Sequence, residues 1–441
     1  MTTTLSIDRA AAIDAYRRNR LRSDAIFDVI DPSAYYSRPI ALRNPIVFYE
    51  GHLPAFSVIA FLRRGLNRPA VDARLEQLFA RGIDPETEVS AVPRSGASTV
   101  WPSRREVQAF GRACDEAILD ALAHEALPAE GLYTALEHEA MHQETLLYMW
   151  HRLPYEQKRR PRDGEWRHLH SGPPAESPAA AQRIHIPAGR ATLGASRSAV
   201  VFGWDNEFDA HVLDVAAFDV DALPVTNGRY LDFVDAGGYR ARELWDADGW
   251  DWIEREHVEY PAFWVRQDGQ WLWRGMFEQI PLPANWPVYV SQAEAAAYSR
   301  WKGARLMTEP EFHRAAYGTL SGTERAQPWG DAAPDAARGH FDFAGFDPVP
   351  AGTHLAGASA WGVHELVGNG WEWTSTVFGP FPGFRPMASY PEYSADFFDG
   401  QHYVMKGASS ATASALVRRS FRNWFRGNYP YVYAKFRTVR S

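Results

Sequence analysis

The sequence predicts an α + (α+β) protein, a helical bundle followed by an irregular domain of short strands, helices and long loops. Three observations predict it. The chain is 441 residues long, more than one ordinary core organises, so two domains are expected. Up to about position 156 apolar residues recur at helical spacing, with Pro and Gly falling between the periodic stretches. From position 183 the texture changes to short β-like runs separated by Gly, Pro and Asn turns.

The helical part contains five candidates: Ile7–Asp28, Ile46–Leu66, Pro69–Arg81, Arg104–His124 and Leu132–Leu153. Such a pattern is that of a bundle, where side chains on facing helices build a site in the core. Residues 157–182, rich in Pro, Arg and Ser, read as a linker between domains 1–156 and 183–441. Beyond it, Arg183–Ala195, His211–Val220 and His402–Ser410 are β-like, and Asn227–Ala236, Gln292–Trp301 and Glu309–Tyr317 are helical patches. Many aromatics and long loops place function on the loops of this second domain.

Composition narrows the class. With 46% hydrophobic and 23% charged residues the chain is globular. A formal net charge of -8 argues against general nucleic-acid binding, which needs a basic footprint. The single cysteine, Cys114, excludes a disulfide framework and a multi-cysteine metal site, and its helical setting assigns it to a buried apolar position. The N-terminus lacks the apolar stretch of a signal peptide, and no apolar run approaches the ~20 residues that cross a bilayer. A cytoplasmic protein with no membrane partner, reduced thiols and access to ferrous iron is expected.

His138 and His142 stand one helical turn apart and share a helix face, so their imidazoles can grip one metal ion. Such pairs also occur as plain polar patches, so spacing alone leaves both readings open. A third histidine, His52, lies upstream in NPIVFYEGHLPAF. Three imidazoles leave coordination positions open for chemistry. Glu144 lies roughly 200° around the helix from His142, so it does not automatically complete a two-histidine-one-carboxylate set. It is either a solvated carboxylate or one that supports the ligands from behind.

Several motifs add up to a resemblance. His138-x3-His142-x-Glu144 with an upstream histidine resembles the DinB-like bundle of ergothioneine-type sulfoxide synthases. The stretches PVTNGRYLDFVDAGGY (224–239), PVYVSQAEAAAYSRWKGARLMTEPEFHRAAYG (287–318), GVHELVGNGWEWTS (362–375) and VMKGASSATASALVRRSFRNWF (404–425) resemble the formylglycine-generating-enzyme (sulfatase-modifying factor), C-type-lectin-like fold. The pairing marks a nonheme iron family that joins a chalcogen to the imidazole of hercynine, the trimethylated form of histidine. The resemblance implies Fe(II) on His52, His138 and His142, O2 as co-substrate, and hercynine held by Asn423 and Trp424. Trp424 would receive the trimethylammonium on its face.

The departures from that family point to the second substrate. Before the last iron histidine the family commonly has Gln; here it is Met141, which donates no amide hydrogen bond. The family's proton-donating tyrosine lies in a loop reading PYPGF. This chain reads Pro380-Phe381-Pro382-Gly383-Phe384, and a phenylalanine is no acid. Tyr390 and Tyr393 are alternatives, each also readable as loop packing. After Asn-Trp the family has an Asp and an Arg that grip γ-glutamylcysteine; the matching positions are Phe425 and Tyr429, with Arg426 shifted.

Phe381, Phe384, Phe425, Arg426, Tyr429 and Met141 are thus expected on the substrate side. Neutral aromatic groups suit the apolar face and hydroxyls of a sugar. The resemblance then implies the selenoneine synthase branch, forming a C–Se bond between hercynine and a selenosugar, 1-seleno-N-acetylglucosamine. The alternative is C–S bond formation with a thiol such as γ-glutamylcysteine or cysteine. A zinc-dependent thiol transferase and a noncatalytic binding module are readings from other classes. A formylglycine-generating oxidase is disfavoured, because that chemistry needs a reactive cysteine pair in the second domain.

Overall fold

A computed structural model describes residues 7–80, 100–161 and 182–441 of the chain. The chain forms two compact units. The first is Met1–Arg162 together with Pro386–Pro391, and the second is Asp163–Arg385 with Glu392–Ser441. The return of a six-residue segment to the first unit is not visible as a pattern in the sequence, because nothing local marks it.

The first unit is helical: α1 (Arg9–Phe27), α2 (Ile46–Ser57), α3 (Ala73–Leu78), α4 (Arg104–His124) and α5 (Ala129–Arg152). Side-chain caps define three of the starts. Asp8, Asp72 and Ser103 accept from the backbone N–H groups of Ala11, Leu75 and Glu106, satisfying donors that no helical carbonyl reaches. α2 contains Pro54 and continues directly into a π-helical segment, Val58–Gly65. Pro54 has no N–H to give to the turn before it, and the wider turns follow at once. Gly131 lets α5 approach this segment, since a Cβ there would lie 2.8 Å from the Ala60 carbonyl oxygen.

A polar seam fixes the rotation of α5 against its neighbours. Glu139 accepts from Arg20 Nη1 at 2.8 Å and Ser23 Oγ at 2.6 Å. One turn on, Gln143 donates to the Asn19 carbonyl and to Ser23 Oγ. Arg20 also bonds Asp115 on α4 at 2.9 Å. Trp150, fully buried, donates its indole N–H to the Ile26 carbonyl. With Glu139 and Gln143 held on α1, the neighbouring face of α5, about 100° around the helix, carries His138 and His142 toward His52 on α2.

Two expectations need amendment here. The linker expected from 157 begins later, because Gln157, Lys158 and Arg159 pair with Asp31, Ile30 and Val29 in the bundle. Residues 162–181 of that stretch lie outside the described residues. Ile46–Gly65 is, at 20 residues and mean hydropathy 1.2, long and apolar enough to cross a membrane, against the expectation of no such run. Its window is 83% buried in the structure, which is how the central helix of a bundle reads.

The second unit begins with β1 (Arg183–Ile186), β2 (Gly189–Leu193), β3 (His211–Val215) and β4 (Phe218–Asp221), then α6 (Asn227–Asp235) and α7 (Ala247–Glu256). A meander follows, β5 (Trp264–Gln267), β6 (Gln270–Arg274) and β7 (Gln279–Pro281), then α8 (Gln292–Trp301), β8 (Arg305–Leu306) and α9 (Glu309–Tyr317). β9 (Gly370–Val377), β10 (His402–Ala408), β11 (Asn423–Arg426), β12 (Ala434–Lys435) and β13 (Thr438–Arg440) complete it. Two four-stranded sheets, in the orders β1-β4-β13-β8 and β11-β10-β9-β12, hold eight of these strands, and β2-β3 and β5-β6-β7 form smaller sheets of their own.

The first sheet and α9 share an apolar core that includes Ile186, Leu193, Phe218, Phe312, Tyr317 and Val439. In the second sheet Glu372 is buried with Arg437 and Lys435, at 2.8 Å and 3.3 Å. A buried carboxylate between two cations is tolerated because each charge has a partner.

Candidate metal centre

His52 comes from the middle of α2, His138 and His142 from successive turns of α5. One ring nitrogen from each lies within 4.8 Å of the other two. The rings stand 5.0 Å (His52–His138), 5.0 Å (His52–His142) and 4.4 Å (His138–His142) apart between centroids. Among the described residues this is the one such group of three.

The orientation of His52 follows from its neighbours. Its Nδ1–H donates to the Phe79 carbonyl at 2.7 Å, which leaves the Nε2 lone pair for a metal, the usual outer support of a ligating histidine. Gly51 makes this possible, because a Cβ at that position would lie 2.4 Å from the Phe79 ring. The residue before His52 thus admits Phe79, and Phe79 sets the imidazole.

Buried Nε2 of His52, Nδ1 of His138 and Nδ1 of His142 have no hydrogen-bond partner. Three orphaned polar atoms in one place would be costly, and a metal ion accounts for such atoms in a ligating trio. Burial pushes the His52 pKa down to about 4, and burial with the neighbouring imidazoles and Arg43 holds His138 and His142 well below the ordinary range. All three are therefore neutral bases at physiological pH, the form that binds metal. The donor set, three imidazoles and no thiolate, fits Fe(II) or another borderline divalent ion.

Aromatic rings back the trio. Phe48 stacks on His52 at 5.0 Å, Tyr49 meets His142 at 5.8 Å, and Phe56 lies nearly parallel to His138. Residues 48, 49, 52 and 56 share α2, so one helix supplies both a ligand and the apolar shell around the site. Met141 and His142 are half-buried whereas His52 and His138 are buried, so the site opens at the Met141–His142 side. Glu144 is buried on α5 and is not one of the grouped ligands.

Pro386–Pro391 adds a strap to the same unit. Ser389 is held three ways: its N–H donates to Glu130 Oε1 at 2.7 Å, its hydroxyl pairs with Thr134 Oγ1 at 2.8 Å, and its carbonyl accepts from Arg64 Nη1 at 2.7 Å. The next residue, Tyr390, meets Phe56 edge-on at 4.9 Å and His138 at 6.0 Å. Of the two tyrosines near the Phe381 loop, the structure brings Tyr390 to the histidines, while Tyr393 stacks on Trp204 at 3.9 Å in the second unit.

The remaining expected residues lie in the second unit. Asn423 and Trp424 stand on β11 and are half-buried. Trp424 stacks on Phe378 at 4.2 Å and 5°, and meets Tyr393 at 5.1 Å and Phe397 at 5.6 Å. Phe384 packs edge-on to Phe398, which in turn touches Phe378. Successive strand residues face opposite ways. Phe425 accordingly leaves this aromatic group and stacks on buried Tyr429 at 5.2 Å and 15°. Arg426 bonds Gln401 at 3.1 Å.

Phe381 is buried, with the Arg422 guanidinium 4.0 Å above its ring, and it belongs to the apolar core of the first sheet. Arg422 is in turn bidentate to Glu309 at 3.0 Å and 3.1 Å. Sequence reasoning missed this pair, since Glu309 and Arg422 lie 113 residues apart and no local pattern joins them.

The family model of the sulfatase-modifying factor enzyme 1-like domain matches residues 170–441. Hercynine oxygenase of Mycolicibacterium thermoresistibile is 35% identical over 426 residues, which covers 93% of this chain and 90% of that protein. Hercynine oxygenase of Mycobacterium tuberculosis is also 35% identical, over 90% of this chain and 91% of that protein. Ergothioneine biosynthesis protein 1 of Schizosaccharomyces pombe is 29% identical over 92% of this chain and 53% of its own length.

Proposed function

The chain belongs to the hercynine oxygenase family, with a sulfatase-modifying factor enzyme 1-like domain as its C-terminal part, and from that premise we propose that it joins a chalcogen to the imidazole of hercynine. The observation that carries the proposal is the trio of neutral imidazoles, two buried and one half-buried, each with a buried unpartnered ring nitrogen. His52, His138 and His142 would hold Fe(II). Bound there, the metal supplies O2 activation and open positions for the reacting groups.

The chain's own residues do the rest. Phe79 fixes the His52 tautomer, and Phe48 and Phe56 keep water from two of the ligands. Asn423 and Trp424 bind hercynine, the indole face taking the trimethylammonium and the amide taking a hydrogen-bonding end. The DinB-like character of the bundle belongs to this same reading.

For the second substrate we favour a donor without ammonium or carboxylate groups, 1-seleno-N-acetylglucosamine, with C–Se bond formation. A stacked neutral pair, Phe425–Tyr429, stands where the resemblance predicts a carboxylate and a guanidinium for γ-glutamylcysteine. The relatives named for ergothioneine biosynthesis favour the second reading, C–S bond formation with a thiol such as γ-glutamylcysteine or cysteine.

Aerobic incubation of the Fe(II)-loaded protein with hercynine and each donor, read by mass spectrometry, separates them. The selenium reading expects the selenosugar adduct to form at least tenfold faster than any thiol adduct. Faster consumption of γ-glutamylcysteine or cysteine gives the sulfur reading. No hercynine product with any donor overturns both.

A further inference from the structure

The strap that carries Tyr390 is distant in sequence from the helices it lies on, and it is fixed by three hydrogen bonds through one residue. Arg64 on the π-helical segment and Glu130 and Thr134 on the first turns of α5 all converge on Ser389. Ser389 is buried. A serine so thoroughly clamped fixes the position of the residue after it. Tyr390 is half-buried, so part of its surface stays available to a ligand while its ring abuts Phe56 and His138.

Tyr390 and Phe56 together make an aromatic corner beside the His138 ligand. Soft, polarisable sulfur packs favourably against aromatic rings at about 5 Å, and selenium is softer still. An aromatic face also receives the apolar face of a sugar. We propose that Tyr390, set by the Ser389 clamp, is a specificity-determining residue whose ring contacts the chalcogen-bearing end of the second substrate and orients it toward the three-histidine site. The proposal rests on the functional reading above and deepens it. It assigns the donor contact to a residue of the first unit, whereas the sequence places the donor side on Phe381, Phe384, Phe425, Arg426 and Tyr429.

The test uses the full chain, with hercynine and two named donors, 1-seleno-N-acetylglucosamine and γ-glutamylcysteine. Tyr390→Ala should raise KM for the better donor about tenfold or more, leaving KM for hercynine within twofold. Tyr390→Phe, which keeps the ring, should restore the donor KM to within threefold of the parent. Ser389→Ala should move the donor KM in the same direction as Tyr390→Ala, by less.

A second readout needs no turnover. In cobalt(II)-substituted protein the visible bands of a histidine-ligated ion should shift on donor addition, and Tyr390→Ala should need about tenfold more donor for the same shift. An unchanged donor KM and donor titration in Tyr390→Ala would overturn the proposal. So would equal losses in Tyr390→Ala and Tyr390→Phe, or a change confined to hercynine. Cobalt bands that are absent in the parent, or unaltered by His138→Ala, would instead overturn the functional reading itself.

Discussion

Phe56 lies nearly parallel to the imidazole of His138, 11° between planes and 3.4 Å between ring centroids. The two residues come from different helices, so this contact couples the packing of α2 on α5 to the placement of a ligand. Phe56→Ala should therefore act twice. Loss of a buried aromatic costs about 3–5 kcal/mol, read as a lower urea midpoint. The freed imidazole should also hold metal more weakly, read by chelator competition. A variant destabilised with metal affinity unchanged would confine Phe56 to packing.

Gly51 controls the other ligand. In Gly51→Ala the new methyl meets the Phe79 ring, which is itself buried, so the ring must shift and its carbonyl with it. Metal affinity should fall about 10–100-fold, the usual effect of losing a ligand's outer hydrogen bond. Chelator competition reads it. Affinity equal to the parent would show that Nδ1 of His52 is not held by Phe79.

Removing a ligand should be more severe. His142→Ala, which keeps α5 intact, should leave less than about a tenth of the parent's bound iron after anaerobic loading and gel filtration, as measured by elemental analysis. Stripping iron from the parent with a chelator should abolish aerobic turnover, and Fe(II) should restore it. Full turnover in the stripped protein would end the assignment.

The buried imidazoles also set an acid sensitivity. His52 folded titrates at about 4 against an ordinary 6.5, and His138 and His142 are lowered too. Between those values the unfolded chain binds protons that the folded chain does not, so stability falls as pH drops through this window. Thermal unfolding of the metal-free protein should show Tm declining from about pH 6.5 toward about pH 4. His52→Phe should flatten part of that decline.

Glu309 and Arg422 predict a stability effect in the second unit. Glu309→Gln leaves the Arg422 charge buried without its carboxylate and should cost about 3–5 kcal/mol. Its denaturant midpoint checks this. Arg422→Met with Glu309→Gln should recover only part of the loss, since Arg422 is then no longer a lone charge while buried Lys406, 3.9 Å from Glu309, still loses its carboxylate.

Much of the fold can be read from local signals. Arg104–His124 has Ser103 as cap, and Gln292–Trp301 and Glu309–Tyr317 start at capping boxes, Ser291 with Glu294 and Thr308 with Glu311. These helices match their expected bounds because caps are encoded within four residues. Pro69–Arg81 contracts to Ala73–Leu78, since Asp72 caps the helix from inside the expected span. The β5–β7 meander was passed over although Asp268-Gly269 marks its first turn, because its Trp-rich strands lack clean alternation.

The histidine pair was visible in its spacing, but His52 joined it only through a family likeness, since α2 and α5 are 86 residues apart from His52 to His138 in sequence. Tyr390 was named only as one of two open alternatives. The residues that clamp Ser389 before it, Glu130, Thr134 and Arg64, lie more than 250 residues earlier, and no sequence period connects them.

That long-range clamp means the bundle is not a portable cassette. A gene fragment stopped after residue 162 would encode every histidine ligand yet leave Glu130, Thr134 and Arg64 facing solvent where Ser389 belongs. Grafting the helices alone onto another scaffold would transplant the ion's ligands without the corner beside them.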